Sequence, residues 1–185
     1  MNIHEYQAKK ILSEYGIKIP KGIIAYTPNE AKSAAEKLSK TGPWMLKAQI
    51  QSSARDKGYF IEKDRGEGGG IRLIKSKKKI LENAKQMLGA TLVTIQTGPQ
   101  GKKVNRIYVE NYIKVEKYFY MSVAINRVKG ELTLMVAPLL HADIIKVALS
   151  HPERILKIPL SIAQNTKPEQ VKEVMDFLKL PPRSA

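Results

Sequence analysis

The chain has 185 residues, 43% of them hydrophobic, and its 32 Lys and Arg outnumber 17 Asp and Glu, leaving a formal net charge of +15. That length allows one sizeable core or two small lobes; zero cysteines exclude disulfides and thiolate chemistry, and three scattered histidines give no histidine metal cluster. No apolar run reaches the roughly 20 residues needed to cross a bilayer, so a water-soluble protein of a reducing compartment is expected.

The opening MNIHEYQAKKIL reads as a helix and not as an export signal, with Asn2 as its cap, Glu5 as the capping partner, and Tyr6, Ile11, Leu12 and Tyr15 on one face up to Gly16. A strand is expected over 22–26. Thr27-Pro28-Asn29-Glu30 is a helix start, with a capping threonine, proline at the first helical position and glutamate three residues after the cap. Ala31, Ala34, Ala35 and Leu38 supply its apolar face, and Thr41-Gly42-Pro43 closes the segment. Strands follow over 44–50 and 71–74, then a helix from Ser76 to Leu88-Gly89, then strands over 92–96 and 106–112 around the turn Gly98-Pro99-Gln100-Gly101. The β-rich runs 117–126 and 131–137 are joined at Lys129-Gly130, a hairpin signal. Thr166-Lys167-Pro168-Glu169 repeats the helix-start pattern before residues 171–180, and Pro181-Pro182 ends it. The alternation favours α+β with antiparallel hairpins over a doubly wound sheet.

Lys47 stands near the end of an apolar strand and is followed by the loop Gln51-Ser52-Ser53-Ala54-Arg55-Asp56-Lys57-Gly58. A lysine so placed can act as a point charge for a phosphate chain, or can be a surface lysine on an edge strand. Glycines would let backbone N–H groups approach phosphate oxygens, but this loop has only Gly58. Gly66, Gly68, Gly69 and Gly70 come later and read as a flexible turn. Trp44 and the methionines 45, 87, 121, 135 and 175 read as packing residues. The surplus of lysine, including Lys75 and Lys77 to Lys79, suits either a solvated face or a polyanionic partner such as nucleotide or RNA.

Several ordered segments together carry a family resemblance: MNIHEYQAKKILSEYGI, GPWMLKAQI, GGGIRLIKS, MLGATLVTIQTGPQGKKVNRIYVE over 87–110, and more faintly KYFYMSVAINR and HPERILKIPL. They resemble the β subunit of succinyl-CoA synthetase, the ADP- or GDP-forming succinate–CoA ligase of the citric acid cycle. The resemblance implies an ATP-grasp fold, two α+β lobes closing on a nucleotide. It implies a smaller lobe over 21–109 and a second lobe made of 1–20 with 110–185. By the same resemblance Lys47 contacts nucleotide phosphates, Arg55 belongs to the phosphate loop, and Glu110 is a hinge glutamate near the base and ribose. The implied ligands are ATP/ADP or GTP/GDP with Mg2+, the implied partner is an α subunit that carries the phosphorylated histidine, and the implied compartment is the bacterial cytoplasm or the mitochondrial matrix.

Departures from the family pattern lower the expected activity. The family loop commonly reads His-Ala-Gly-Gly-Arg-Gly-Lys; here two glycines are Ser53 and Ala54 and a third is Asp56, whose carboxylate beside a phosphate costs about 1 kcal/mol in water at about 4 Å and more where solvent is excluded. The glutamate that the family places before its aromatic pair is missing from Lys117-Tyr118-Phe119-Tyr120, and Ala137-Pro138-Leu139-Leu140-His141 replaces Ser-Thr-Glu-Gly-Gly. The family's metal-binding Asn and Asp, and its C-terminal ligase domain, would fall beyond residue 180. Ligands for Mg2+ are therefore expected to be absent, nucleotide binding to be weakened, and turnover by these residues alone to be incomplete. The alternative is a non-catalytic basic scaffold or RNA-binding protein derived from the same family.

Overall fold

The computed structural model describes residues 2–62, 66, 68–138, 144–161 and 163–181. They divide into two compact units, Met1–Ile113 and Lys114–Ala185. Every strand pairing described is antiparallel, in keeping with the α+β expectation.

The first unit is built on a four-stranded sheet. Its strands are β1 (Gly22–Ala25), β2 (Trp44–Ala48), β4 (Ile71–Ile74) and β7 (Ile107–Asn111), in the order β1-β7-β2-β4. Two helices, α2 (Pro28–Leu38) and α3 (Lys77–Met87), pack on each other and against this sheet. The starting turn of α2 forms as its sequence dictates: Glu30 N–H donates to Thr27 Oγ1 at 3.2 Å, and Tyr26 N–H donates to Glu30 Oε2 at 2.8 Å. Ala31, Ala34 and Ala35 are small enough to let the helix lie close to the sheet, and they share a core with Trp44, Leu46, Ile80, Met87, Ile107 and Val109. Trp44 is fully buried, and its indole N–H donates to Ala35 O at 3.0 Å, so the polar end of the ring is satisfied. A smaller sheet joins β3 (Tyr59–Phe60), β5 (Thr91–Val93) and β6 (Lys102–Lys103) in the order β3-β5-β6.

The first helix, α1, runs over Glu5–Glu14. Its cap is His4 and not Asn2: His4 N–H donates to Gln7 Oε1 at 2.8 Å, so Gln7 does the capping work expected of Glu5. Its ion pairs reach Lys47, Arg55 and Glu110, all within the first unit.

The second unit holds β8 (Tyr120–Asn126), β9 (Glu131–Ala137) and β10 (Leu156–Leu160), with β9 in the middle. The hairpin forms at its expected place, Asn126 pairing with Glu131 and Gly130 taking φ 65. Ala137 and Ile155 are buried with Tyr120, Met135, Ile144 and Val147 around them, so α4 (Ile144–Ser150) closes this core. The last helix, α5 (Pro168–Leu178), begins after Lys167 and ends at Lys179, which has φ 52. Met121 departs from the packing role expected of it and is 61% exposed, beside Val123 and Ile125 on the same strand. Leu139 to His141 lie outside the described residues.

Candidate functional site

Strand alternation gathers the site. β2 turns Trp44, Leu46 and Ala48 to the core, which leaves Met45 and Lys47 on the opposite face. Lys47 pairs with Tyr108, and Met45 with Glu110. Residues opposite one another across an antiparallel pair share a face, so Lys47, Tyr108 and Glu110 stand together. Glu5 and Lys9, one helical turn apart on α1, meet them there.

The result is a five-member ion cluster. Lys47 Nζ lies 2.9 Å from Glu5 Oε1 and 2.6 Å from Glu110 Oε2. Lys9 Nζ lies 3.1 Å from Glu5 Oε1 and pairs with Glu110 Oε1. Arg55 opens a short 3-10 turn over Arg55–Lys57; its Nη2 lies 2.5 Å from Glu5 Oε2, and its Nη1 donates to Ala48 O at 2.6 Å. The structure thus brings together Lys47, Arg55 and Glu110, and adds Glu5 and Lys9, which sequence reasoning assigned to no site. Three cations face two carboxylates, an excess of one positive charge. The Glu110 side chain is 4% exposed and that of Glu5 is 21% exposed, so the first is locked in the sheet and the second stands nearer to solvent.

Electrostatics follow from these contacts. Burial by itself would raise the Glu5 carboxyl, but the charges of Lys47 and Arg55 and their hydrogen bonds outweigh it and pull it down to about 2. Burial would lower the Lys47 ammonium, yet Glu5 and Glu110 more than offset this and hold it above its ordinary value. Burial also raises Tyr108, and both carboxylates add to the effect. At neutral pH, then, Glu5 and Lys47 are charged and Tyr108 is not.

The loop after β2 is tied down at several points. Ser52 Oγ lies 2.5 Å from Thr94 Oγ1, and Ser53 N–H donates to Gln96 Oε1 at 2.7 Å. Ala54 takes φ 51, a left-handed conformation in which its Cβ is crowded. Gly69 and Gly70 are buried rather than forming the flexible turn expected of them. A Cβ on Gly69 would stand 2.3 Å from Asp56 O, and Gly70 N–H donates to Arg55 O at 2.7 Å. These glycines serve a backbone-to-backbone contact that fixes the Arg55 turn. Beside the loop lies a depression of about 420 Å³ walled by Asn2, Ile3, Glu5, Gln51, Arg55 and Gln96 among others. Lys47 is not part of that wall; its ammonium meets the depression's edge through Glu5.

His4 caps α1 and His151 is exposed beside Ser150, with its Nδ1 2.9 Å from Ser150 Oγ; His141 lies outside the described residues. Lys75 and Lys77 to Lys79 are exposed at the start of α3. Among the described residues no group of three or more His, Asp or Glu could hold a metal ion. The two carboxylates of the cluster already face Lys9, Lys47 and Arg55, a donor set that does not fit a divalent cation. Among the described residues no helix is long and apolar enough to cross a membrane.

The ATP-grasp domain profile matches residues 2–185. The succinate–CoA ligase [ADP-forming] subunit beta of Bradyrhizobium sp. (strain BTAi1 / ATCC BAA-1182) is 43% identical over 181 residues, which are 97% of this chain and 45% of that protein. The subunit of the same description from Novosphingobium aromaticivorans is 44% identical over an equal share. The chain therefore spans about 45% of the length of these curated relatives. Among solved structures, the dinucleotide forming acetyl-coenzyme A synthetase 1 of Ca. Korarchaeum cryptofilum superposes with a TM-score of 0.63 at 13% identity, over 96% of this chain and 66% of that one. It was solved with coenzyme A, acetyl-coenzyme A and a phosphorylated phosphohistidine segment. At that identity the likeness speaks for the fold alone.

Proposed function

This chain belongs to the ATP-grasp domain family, and from that premise we propose that it binds the phosphates of a purine nucleotide, ADP/ATP or GDP/GTP, through Lys47 and Arg55. Its homology to succinate–CoA ligase β subunits supports a place as the nucleotide-binding part of such an enzyme. The reaction in question is the reversible exchange of succinyl-CoA, phosphate and nucleoside diphosphate for succinate, CoA and nucleoside triphosphate. The chain would act with an α subunit, in the bacterial cytoplasm or the mitochondrial matrix, and the chemical steps would need groups beyond the described residues. Glu5 and Glu110, already held by Lys9, Lys47 and Arg55, do not fit Mg2+.

The observation that carries this reading is the convergence of Lys47 and Arg55, from a strand and from the loop after it, next to a 420 Å³ depression. A volume of that order falls within the range of about 300 to 1,000 Å³ typical of small-molecule sites. In this role Lys47 and Arg55 supply the positive charge. Glu110 holds Lys47 through its Oε2 at 2.6 Å, and the family resemblance assigns it a place near base and ribose. Calorimetric titration with ADP, with and without Mg2+, tests the proposal. The wild type should bind, and Lys47→Ala should weaken binding by about tenfold or more, the worth of one charge-assisted contact. A wild type that takes up no nucleotide, or a Lys47→Ala variant that binds as well as the wild type, would overturn it. A parallel titration with single-stranded RNA at two salt concentrations separates the scaffold alternative, for which RNA would bind with strong salt dependence and ADP not at all.

A further inference from the structure

We infer that Glu5 is a resident stand-in for a ligand phosphate, a carboxylate that bridges Lys47 and Arg55 and must be displaced before a phosphate group can take both. The inference rests on the nucleotide reading of the site and concerns a residue which that reading leaves unassigned.

The geometry is that of an anion already bound. The two oxygens of one carboxylate divide between two cations, Oε1 at 2.9 Å from Lys47 Nζ and Oε2 at 2.5 Å from Arg55 Nη2. Two oxygens of a phosphate can make the same bridge. Glu5 also walls the depression, so a ligand entering there meets this carboxylate before it meets Lys47. With Glu5 in place the cluster offers an excess of only one positive charge; with Glu5 withdrawn the excess is two.

Of the two carboxylates in the cluster, Glu5 is the one able to leave. Glu110 sits in β7, with neighbouring strands on both sides, and its side chain is 4% exposed. Glu5 occupies the first turn of a helix none of whose residues is buried. Both cations keep an anchor when it goes: Lys47 retains Glu110 Oε2 at 2.6 Å, and Arg55 retains Ala48 O at 2.6 Å. The site thus stays assembled without Glu5, and its removal frees one bonding direction on each cation. A purely structural Glu5 would behave oppositely, since its loss would loosen Lys47 and Arg55 and weaken any anion contact.

Glu5→Gln keeps the size of the side chain and removes the charge. Titrated in the full chain with ADP, and with tripolyphosphate as a base-free probe, it should bind both about tenfold more tightly than the wild type. Lys47→Ala should lose affinity for both. Glu5→Asp, which keeps the charge but shortens the reach, guards against a folding failure of the glutamine variant and should bind with intermediate affinity; thermal unfolding confirms that each variant is folded. Equal or weaker binding by Glu5→Gln or Glu5→Asp, in a wild type that binds ADP, overturns the inference and leaves the nucleotide site standing. Absence of ADP binding in all folded variants overturns both.

Discussion

Ala54 holds φ 51, a left-handed conformation that costs a residue with a Cβ about 1 to 2 kcal/mol. Glycine adopts it without strain but adds about 0.5 to 1 kcal/mol of entropy to be lost from the unfolded chain. Ala54→Gly should therefore raise stability by about 0.5 to 1 kcal/mol, read as a higher denaturant midpoint with an unchanged slope; an unchanged or lower midpoint would show that the loop relaxes the strain by other means. Lys47 stood out in the sequence as a lysine near the end of an apolar strand, a place that fits either a phosphate contact or an exposed edge, whereas the structure sets it against Glu5 and Glu110. Glu5 was not legible as its partner. Its spacing from Asn2 fits a capping role, which Gln7 fills instead, while its carboxylate answers to residues 42 and 50 positions away. No local pattern in a sequence encodes a pairing at that distance.

At the scale of elements, what was legible followed local rules. Thr27-Pro28-Asn29-Glu30 starts a helix because its own atoms satisfy the first free N–H groups, and the apolar alternation of 44–48 makes a strand because one face is buried. β10 escaped notice because Pro159 interrupts the strand signal, yet an edge strand tolerates a missing donor. β6 is only two residues long and is all lysine, so it carries no hydrophobic pattern. The pair Gly69-Gly70 was misread because composition cannot separate a mobile turn from a close backbone contact. That contact gives a prediction about the loop as an element. Gly69→Ala places a Cβ 2.3 Å from Asp56 O and 2.7 Å from Arg55 O, both of them backbone atoms that cannot swing aside. The variant should lose about 1 to 3 kcal/mol of stability, and the displaced Arg55 turn should weaken ADP binding as well. Calorimetry and denaturant unfolding read the two effects on one sample. Full stability in the variant would mean that the two segments can move apart freely.

At the scale of the whole molecule, each unit has its own core, and the single tryptophan of the sequence lies in the first, fully buried in the same strand as Lys47. Trp44 fluorescence therefore reports on the unit that holds the ion cluster. Glu5 gives that unit a dependence on pH with a definite sign. Its carboxyl is near 2 when folded against 4.5 as an ordinary glutamate, so the folded state holds the proton less tightly than the unfolded state. The stabilisation is complete above pH 4.5 and is lost as pH falls toward 2. A carboxyl held at about 2 when folded against 4.5 when unfolded contributes on the order of 3 kcal/mol. Denaturant unfolding followed by Trp44 emission should show the first unit losing that much stability between neutral pH and the acid end of the window. Glu5→Gln should begin less stable at neutral pH, because three cations then share one carboxylate, and should decline less on acidification. If the wild type and Glu5→Gln fell in parallel across that window, the acid sensitivity would belong to other carboxylates, and the strong coupling of Glu5 to Lys47 and Arg55 would be refuted.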